Sequence, residues 1–329
     1  MKAAWFERFG NAAESIIVGE QPNPVAGPGE VLIRLKTSGV NPSDVKKRAG
    51  AFPNLLEDGL VIPHSDGAGI IEAVGEGVSS ERIGERVFVY QAQYGRQFGT
   101  AAEYVTVESR RAPQLPDNTS FEVGACIGIP ILTAHRCVFS DGSIEGQKIV
   151  VTGGAGRVGF YAIQLAKDAG ATVIATASNP IDEKACRDAG ADHVVNHRDK
   201  NWGQKVLDYT RGEKVNRVID VEFGANLSEV LTFIGTSGTI ATYSSTQVKE
   251  PTLPFVQMMF MDLNVRLVIV YAMPEQAKEK AIRDTRKLLE EGKLQHRVAK
   301  IFPFNQMVQA HELIEEGSVR GCVVVSIDP

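Results

Sequence analysis

The sequence predicts an α/β protein: a doubly wound parallel sheet in the middle of the chain and a β-rich part gathered from its two ends. Three observations carry this. Lys148 to Lys167, KIVVTGGAGRVGFYAIQLAK, passes from a short apolar run through clustered glycines into a helical repeat, and so reads as strand, tight turn and helix. From Phe121 to about Tyr271, strands near Ile149, Thr172, His193, Arg217, Thr239 and Val265 alternate with helical segments, the pattern of parallel strands joined by helical crossovers. Before Phe121 the runs VLIRLK at Val31, GIIEAVG at Gly69, RVFVY at Arg86 and EYVTV at Glu103 stand between glycines and prolines, an all-β signature.

In the central stretch Gly154, Gly156 and Gly159 fit G-x-G-x-x-G. In a dinucleotide site these glycines serve the tight turn, the backbone approach to a pyrophosphate and the close packing of helix on strand. The helix that follows opens at Arg157 and Val158, and its unpaired N–H groups favour an anion. Val158, Ala162, Leu165, Ala166 and Ala169 form one apolar stripe, and Gly170 follows where a helix ends. The same pattern also describes an ordinary glycine-rich turn; the strand and helix on its flanks favour dinucleotide binding at the switch point of the sheet.

With 329 residues, 43% of them hydrophobic, the chain has material for two domains. A formal charge of −5 gives no global attraction to nucleic acid or anionic lipid. Met1 to Gly10 carries Lys2, Glu7 and Arg8 without an apolar core, so a cytoplasmic protein without a membrane partner is expected. Cys126, Cys137, Cys186 and Cys322 are scattered without C-x-x-C and read as small buried residues.

Between the first two strands NPSDVKKRAG predicts one short helix, with Asn41 at the N-cap, Pro42 at the first position and Asp44 in the first turn. VRLVIVY predicts the last strand of the parallel sheet, either covered or an edge that pairs with another subunit. A charged helix over roughly Glu275 to Glu291 and the closing strand CVVVSI follow. Between them Met307, Ala310, His311 and Ile314 share one helical face, which places His311 in packing against the β-rich part.

GVNPSD at Gly39, PHSDGAGIIEAVGEGV at Pro63, GTAAEYVTV at Gly99, IPILTAHR at Ile129, the glycine stretch, GADHVVNHR at Gly190 and AHELIEEGSVRG near the end together resemble the medium-chain dehydrogenase/reductase superfamily. They most resemble its zinc-free quinone oxidoreductase branch, the ζ-crystallin-like NADPH:quinone reductases. The resemblance implies a GroES-like catalytic domain over 1–122 completed by 273–329, a Rossmann NADP-binding domain over 123–272, and an active site in the cleft between them. It also implies a homodimer paired through the sheet edge around Val265 to Tyr271.

A catalytic zinc needs three protein ligands and a structural zinc four. The resemblance puts Asn41 where zinc alcohol dehydrogenases have their first cysteine and leaves only His64 in its place, vestigial or substrate-facing. The lobe VYQAQYGRQFGTAA holds no cysteine. The expectation is no metal, and direct hydride transfer from NADPH to a quinone or related conjugated carbonyl. Asn41, Asp44 and Arg48, at i, i+3 and i+7, share a helical face that the resemblance points at the cleft as catalytic. Lys46, where the family has tyrosine, reads equally as a substrate contact or a solvated charge. Phe52 and Tyr271 are candidate apolar walls for a flat acceptor, and Phe52 reads at least equally as a core residue. With the glycine turn, the resemblance gives Thr133, Ser178, Lys184, His197, Tyr271 and Arg320 as cofactor contacts. The strand end Ala177, Ser178, Asn179 lacks the carboxylate that holds an NAD ribose, so NADPH is expected. Two other readings remain open here: a 2-alkenal or enoyl-thioester double-bond reductase, and an NADPH-binding crystallin-like structural or sensor protein.

Overall fold

A computed structural model describes residues 1–327. The chain divides into two compact units, Met1–Ile129 with Ile282–Pro329, and Pro130–Ala281.

The first unit is β-rich. A two-stranded ribbon, β1 (Lys2–Trp5) and β2 (Ile17–Glu20), flanks the short helix α1 (Ala12–Ser15). The main sheet has β3 (Glu30–Val40), β4 (Asp66–Val74), β5 (Arg86–Val89), β6 (Tyr104–Glu108), β13 (Val298–Pro303) and β14 (Cys322–Ser326). Its order is β13-β14-β3-β4-β5, with β6 also on β3. The C-terminal strand β14 runs antiparallel to β3, from Val323 opposite Val40 to Ser326 opposite Thr37, so both ends of the chain build one sheet. On β3, Val31, Ile33 and Leu35 are buried at alternate positions, and they share a core with Val105, Val107, Val323, Val325, Phe302 and Met307. The helices of this unit are α2 (Pro42–Arg48), α3 (Phe121–Gly124) and α11 (Met307–Glu315).

The second unit is a six-stranded parallel sheet in the order β12-β11-β10-β7-β8-β9. Its strands are β7 (Lys148–Val151), β8 (Thr172–Ala177), β9 (His193–Asn196), β10 (Val215–Asp220), β11 (Ile234–Thr242) and β12 (Asn264–Leu267). The helices α4 (Ile129–Phe139), α5 (Arg157–Asp168), α6 (Pro180–Asp188), α7 (Trp202–Tyr209), α8 (Phe223–Phe233) and α9 (Phe255–Phe260) alternate with them, and α10 (Glu275–Glu290) follows. The first strand and the fourth are neighbours, so the winding reverses between β7 and β10, the switch point of a doubly wound sheet. Val150, Ile174, Val218 and Ile240, from four adjacent strands, are buried in one core with Trp202, Phe223 and Phe233.

The predicted last strand is shorter than VRLVIVY. Leu267 pairs with Thr242, the final residue of β11, so the partner strand ends there, and Val270–Ala272 close into a single 3-10 turn.

Candidate functional site

In the parallel unit the glycine turn stands at the switch point. Gly153 takes the left-handed conformation, with φ +61°, and the Gly153 and Gly154 N–H groups donate to the hydroxyl and carbonyl of Thr176. The tight turn expected of Gly154 thus belongs to Gly153. A Cβ on Gly154 would lie 2.8 to 2.9 Å from Cys186 Sγ, Ala175 Cβ and Ile163 Cδ1, and one on Gly159 only 2.4 Å from the Gly153 carbonyl. Both glycines serve close packing. Gly156 differs: its φ of −75° suits any residue, and a Cβ there would meet only the Gly153 carbonyl, at 3.1 Å. Gly156 is the N-cap of α5 and supplies no capping side chain, and the first turn of a helix favours an anion.

Across the switch point, Thr152 Oγ1 donates to Asp220 Oδ1 at 2.6 Å and Asn226 Nδ2 donates to the same oxygen at 2.8 Å. Burial raises the Asp220 carboxyl above its ordinary value, against those two hydrogen bonds. At the end of β8 a cavity is lined by Ala177, Ser178, Asn179, Pro180, Glu183, Val194 and Asn196. Asn179 caps α6, accepting from the Asp182 N–H at 2.9 Å. On α6, Lys184, expected to reach the cofactor, pairs with Asp188 at 2.6 Å, and Arg187 one turn on pairs with Glu183 at 2.8 Å. His197 is exposed, just past β9; Thr133 is buried in α4, and Tyr271 is buried with its carbonyl accepting from Lys278.

In the β-rich unit, β3 ends at Val40 and runs directly into Asn41 and α2. The Asp44 carboxylate accepts from the Asn41 N–H at 2.8 Å, closing the helix start as a capping residue does. The Asn41 side-chain amide donates to Asp66 Oδ2 at 2.8 Å, and the Ile129 N–H donates to both Asp66 oxygens at 2.9 and 3.0 Å. Lys47 Nζ donates to the carbonyl and Oε1 of Gln93, each at 2.8 Å. Asn41, Asp44, Lys47, Asp66 and Gln93 are all buried. Burial dominates their titration: it pushes Asp66 up to about 8 and Asp44 up to about 6, and lowers the Lys47 ammonium. Two carboxyls and one ammonium enclosed together leave one carboxyl to hold its proton.

Arg48 and His64 depart from a substrate-facing role, and Lys46 takes the solvated one of its two readings. Arg48 is fully buried and spent on the Gly10 carbonyl, Glu315 and His311; a guanidinium with those partners binds the fold together and has no free face for a substrate. Lys46 is exposed on the other side of α2. His64 is fully buried, with its two ring nitrogens on Ser38 and His311, so it faces no substrate. Arg320 is exposed in the β-rich unit and donates to the Gly317 carbonyl. Phe52 is 44% exposed, so it is no core residue. Lys47, Asp66 and Gln93 are the residues that sequence reasoning missed. Lys47 lies three residues after Asp44, on the turn that stacks above it, and that spacing was the available signal.

Residues 27–117 match the family described as the alcohol dehydrogenase GroES-like domain, and residues 158–287 the family described as zinc-binding dehydrogenase. The chain is 28% identical to human quinone oxidoreductase, over 97% of this chain and 95% of the human one. It is 32% identical to mouse quinone oxidoreductase over 73% of this chain and 72% of the other. The chain belongs to the medium-chain dehydrogenase/reductase superfamily, in its zinc-free quinone oxidoreductase branch. A mycobacterial protein solved with NADPH has the same fold, with a TM-score of 0.87 and 25% identity over 99% of this chain and 100% of that one. This member is an oxidoreductase. Although the family matched by its parallel unit is described as zinc-binding, no three His, Cys, Asp or Glu side chains among the described residues converge so as to hold a metal ion. No helix among them is long and apolar enough to cross a membrane.

Proposed function

We propose that the protein is an NADPH-dependent reductase that passes hydride to a quinone or a related conjugated carbonyl without a bound metal. The observation that supports this best is the pairing of Asn41 with Asp66: the position that the resemblance aligns with a zinc ligand holds an amide committed to a carboxyl group. The residues of the parallel unit fit the cofactor. The bare backbone at Gly156 and the start of α5 suit a pyrophosphate, and the cavity at Ser178 and Asn179 suits the adenosine ribose. When bound, NADPH supplies the hydride.

Without a Lewis acid, an isolated ketone is a poor acceptor, because the negative charge that develops on its oxygen has nothing strong to meet. A quinone or enone spreads that charge over its conjugated system. Asn41 offers the remaining N–H of its amide, and the Asp44, Lys47 and Asp66 cluster behind it keeps a proton inside the fold near neutral pH. We propose the homodimer that the resemblance implies, paired through the sheet edge around Val265 to Tyr271, and extend it to the exposed apolar residues of α9.

The test is steady-state oxidation of NADPH with an ortho-quinone, a 2-enal and a saturated ketone, each with and without EDTA. The expected outcome is turnover of the first or the second, none of the third, and no effect of chelator. Turnover of the saturated ketone that chelator abolishes would overturn the reading, and an absence of NADPH oxidation with every acceptor would favour a binding protein.

A further inference from the structure

His64 and His311 stack with ring centroids 5.0 Å apart and Nε2 atoms 2.9 Å apart, in the interior of the β-rich unit. Two neutral imidazoles that meet through the same ring nitrogen must differ in tautomer, one donating and the other accepting. The surroundings decide which. At one end Arg48 Nε faces His311 Nδ1 at 3.4 Å, and a guanidinium only donates. His311 Nδ1 is therefore bare, its proton is on Nε2, and His64 Nε2 accepts. His64 then carries its proton on Nδ1, which donates to Ser38 Oγ at 2.8 Å. Ser38 passes its hydroxyl hydrogen to Thr100 Oγ1 at 2.7 Å, and Thr100 donates to the Asp66 main-chain carbonyl at 2.5 Å. A carbonyl only accepts, so both ends fix the same direction.

We propose that this one-way chain, from Arg48 through His311, His64, Ser38 and Thr100 to Asp66, is a positioning device that holds Asp66, and through it the amide of Asn41, in place for the reaction. His64 is its central positioning residue. Two further facts agree. His64 has φ +78°, a conformation that crowds a side chain's Cβ against its own backbone, and a glycine would serve the backbone better there. Burial lowers both imidazoles, helped at His64 by Lys47 and at His311 by His64 and Arg48, so neither takes a proton at neutral pH.

The functional half of the proposal rests on the reading above that Asn41 serves the reaction, and the test separates the two. Nitrogen-15 spectra of the imidazoles need no acceptor. His311 should be protonated at Nε2 and His64 at Nδ1; the same tautomer on both rings, or a charged ring at pH 7, overturns the chain. In His64→Gly, whose backbone suits φ +78°, the Asn41 side-chain amide signal should shift and broaden. In His64→Gln, which can accept from His311 and donate to Ser38, it should return toward its wild-type position. An unmoved Asn41 signal in the glycine variant overturns the positioning role. With any acceptor that the wild type reduces, His64→Gly should lower kcat at least ten-fold with KM and NADPH affinity within two-fold, and His64→Gln should recover most of it.

Discussion

The Asn41 side-chain amide and the Asp66 carboxyl group are joined at 2.8 Å in the interior of the β-rich unit, 25 residues apart in sequence. Asp66 also receives the Ile129 N–H at the start of α4. Gly128 beside it has no room for a side chain, because a Cβ would lie 2.2 Å from Asp66 Oδ1. The carboxyl is therefore both the partner of the candidate catalytic amide and the acceptor for a half-buried backbone group. Asp66→Ala leaves the buried Asn41 amide and the half-buried Ile129 N–H without acceptors, at about 1–3 kcal/mol for the buried donor and less for the other. A loss of about 2–4 kcal/mol in urea unfolding is expected, with less than half of that in Asp66→Asn, whose Oδ1 still accepts from Ile129. Equal losses in the two variants would show that shape, and not hydrogen bonding, sets the role of Asp66.

The buried imidazoles predict a loss of stability in acid. His64 is lowered to about 3 from 6.5, by burial first and then by Lys47. Below pH 6.5 the unfolded chain takes up a proton that the folded chain refuses, so this stability is full above 6.5 and is lost as pH falls toward 3. The slope is about 1.4 kcal/mol per pH unit for each imidazole. His64→Gln removes one such group, so its deficit against the wild type should shrink by about 2 kcal/mol between pH 7 and pH 5. The groups facing His64 are Lys47, Ser38 and His311, and none of them is changed by the substitution. Parallel curves for the two proteins would mean that His64 titrates normally in the fold.

The glycines of the turn separate binding from folding. Gly156→Val should abolish NADPH binding, measured by isothermal titration, with a thermal midpoint near the wild-type value, since its Cβ meets only one carbonyl oxygen at 3.1 Å. Gly154→Ala should instead lower the midpoint, because its Cβ meets three atoms closer than 3.0 Å. Unchanged NADPH affinity in Gly156→Val would move the pyrophosphate elsewhere.

The edge of the parallel sheet predicts the oligomer. Phe255, Val256, Met259 and Phe260 on α9 are 54% to 80% exposed, and Leu267 on β12 is 75% exposed. A run of apolar side chains beside an unpaired strand edge suits a second copy of the chain. Light scattering should give a dimer at micromolar concentration, and Phe260→Glu should shift it to the monomer mass. A monomeric wild type would refute the pairing.

The six parallel strands and α5 are legible in the sequence because their periods are local: β7 carries the apolar run Ile149, Val150 and Val151, and α5 carries its stripe within 12 residues. The faces of α2 are only half legible. Spacing shows that Asn41, Asp44 and Arg48 lie together, but whether that face meets solvent or interior depends on Gly10, His311 and Glu315, which the chain brings from 38, 263 and 267 residues away. The burial of Lys47 depends likewise on Gln93, 46 residues on. Asp66 stands in a recognisable motif, yet its partner Asn41 is found only once β3 and β4 pair, with Gly39 opposite Asp66.

Cofactor preference rests on charges that are already engaged in the fold. Lys184 holds Asp188 at 2.6 Å, with side chains 75% and 50% exposed, and an exposed pair of this kind is worth about 0–1 kcal/mol. A charge-assisted hydrogen bond to a 2′-phosphate is worth about 1.5–3 kcal/mol, so the phosphate can draw Lys184 away from its partner. Arg187 is held by Glu183, which lines the cavity beside Ser178. Glu183 would repel a phosphate if Arg187 left it, so Arg187 serves better where it is, neutralising that carboxylate. Asn179 caps α6 with its oxygen while its amide N–H donates to Asp182 Oδ2, which leaves Ser178, Lys184 and His197 as the donors. NADPH should therefore exceed NADH at least ten-fold in kcat/KM, about 1.4 kcal/mol. Lys184→Ala should remove most of that preference by raising the NADPH KM with NADH kinetics unchanged. Arg187→Ala should weaken NADPH as well, by uncovering Glu183. A Lys184→Ala variant that keeps the full preference would place the 2′-phosphate away from α6.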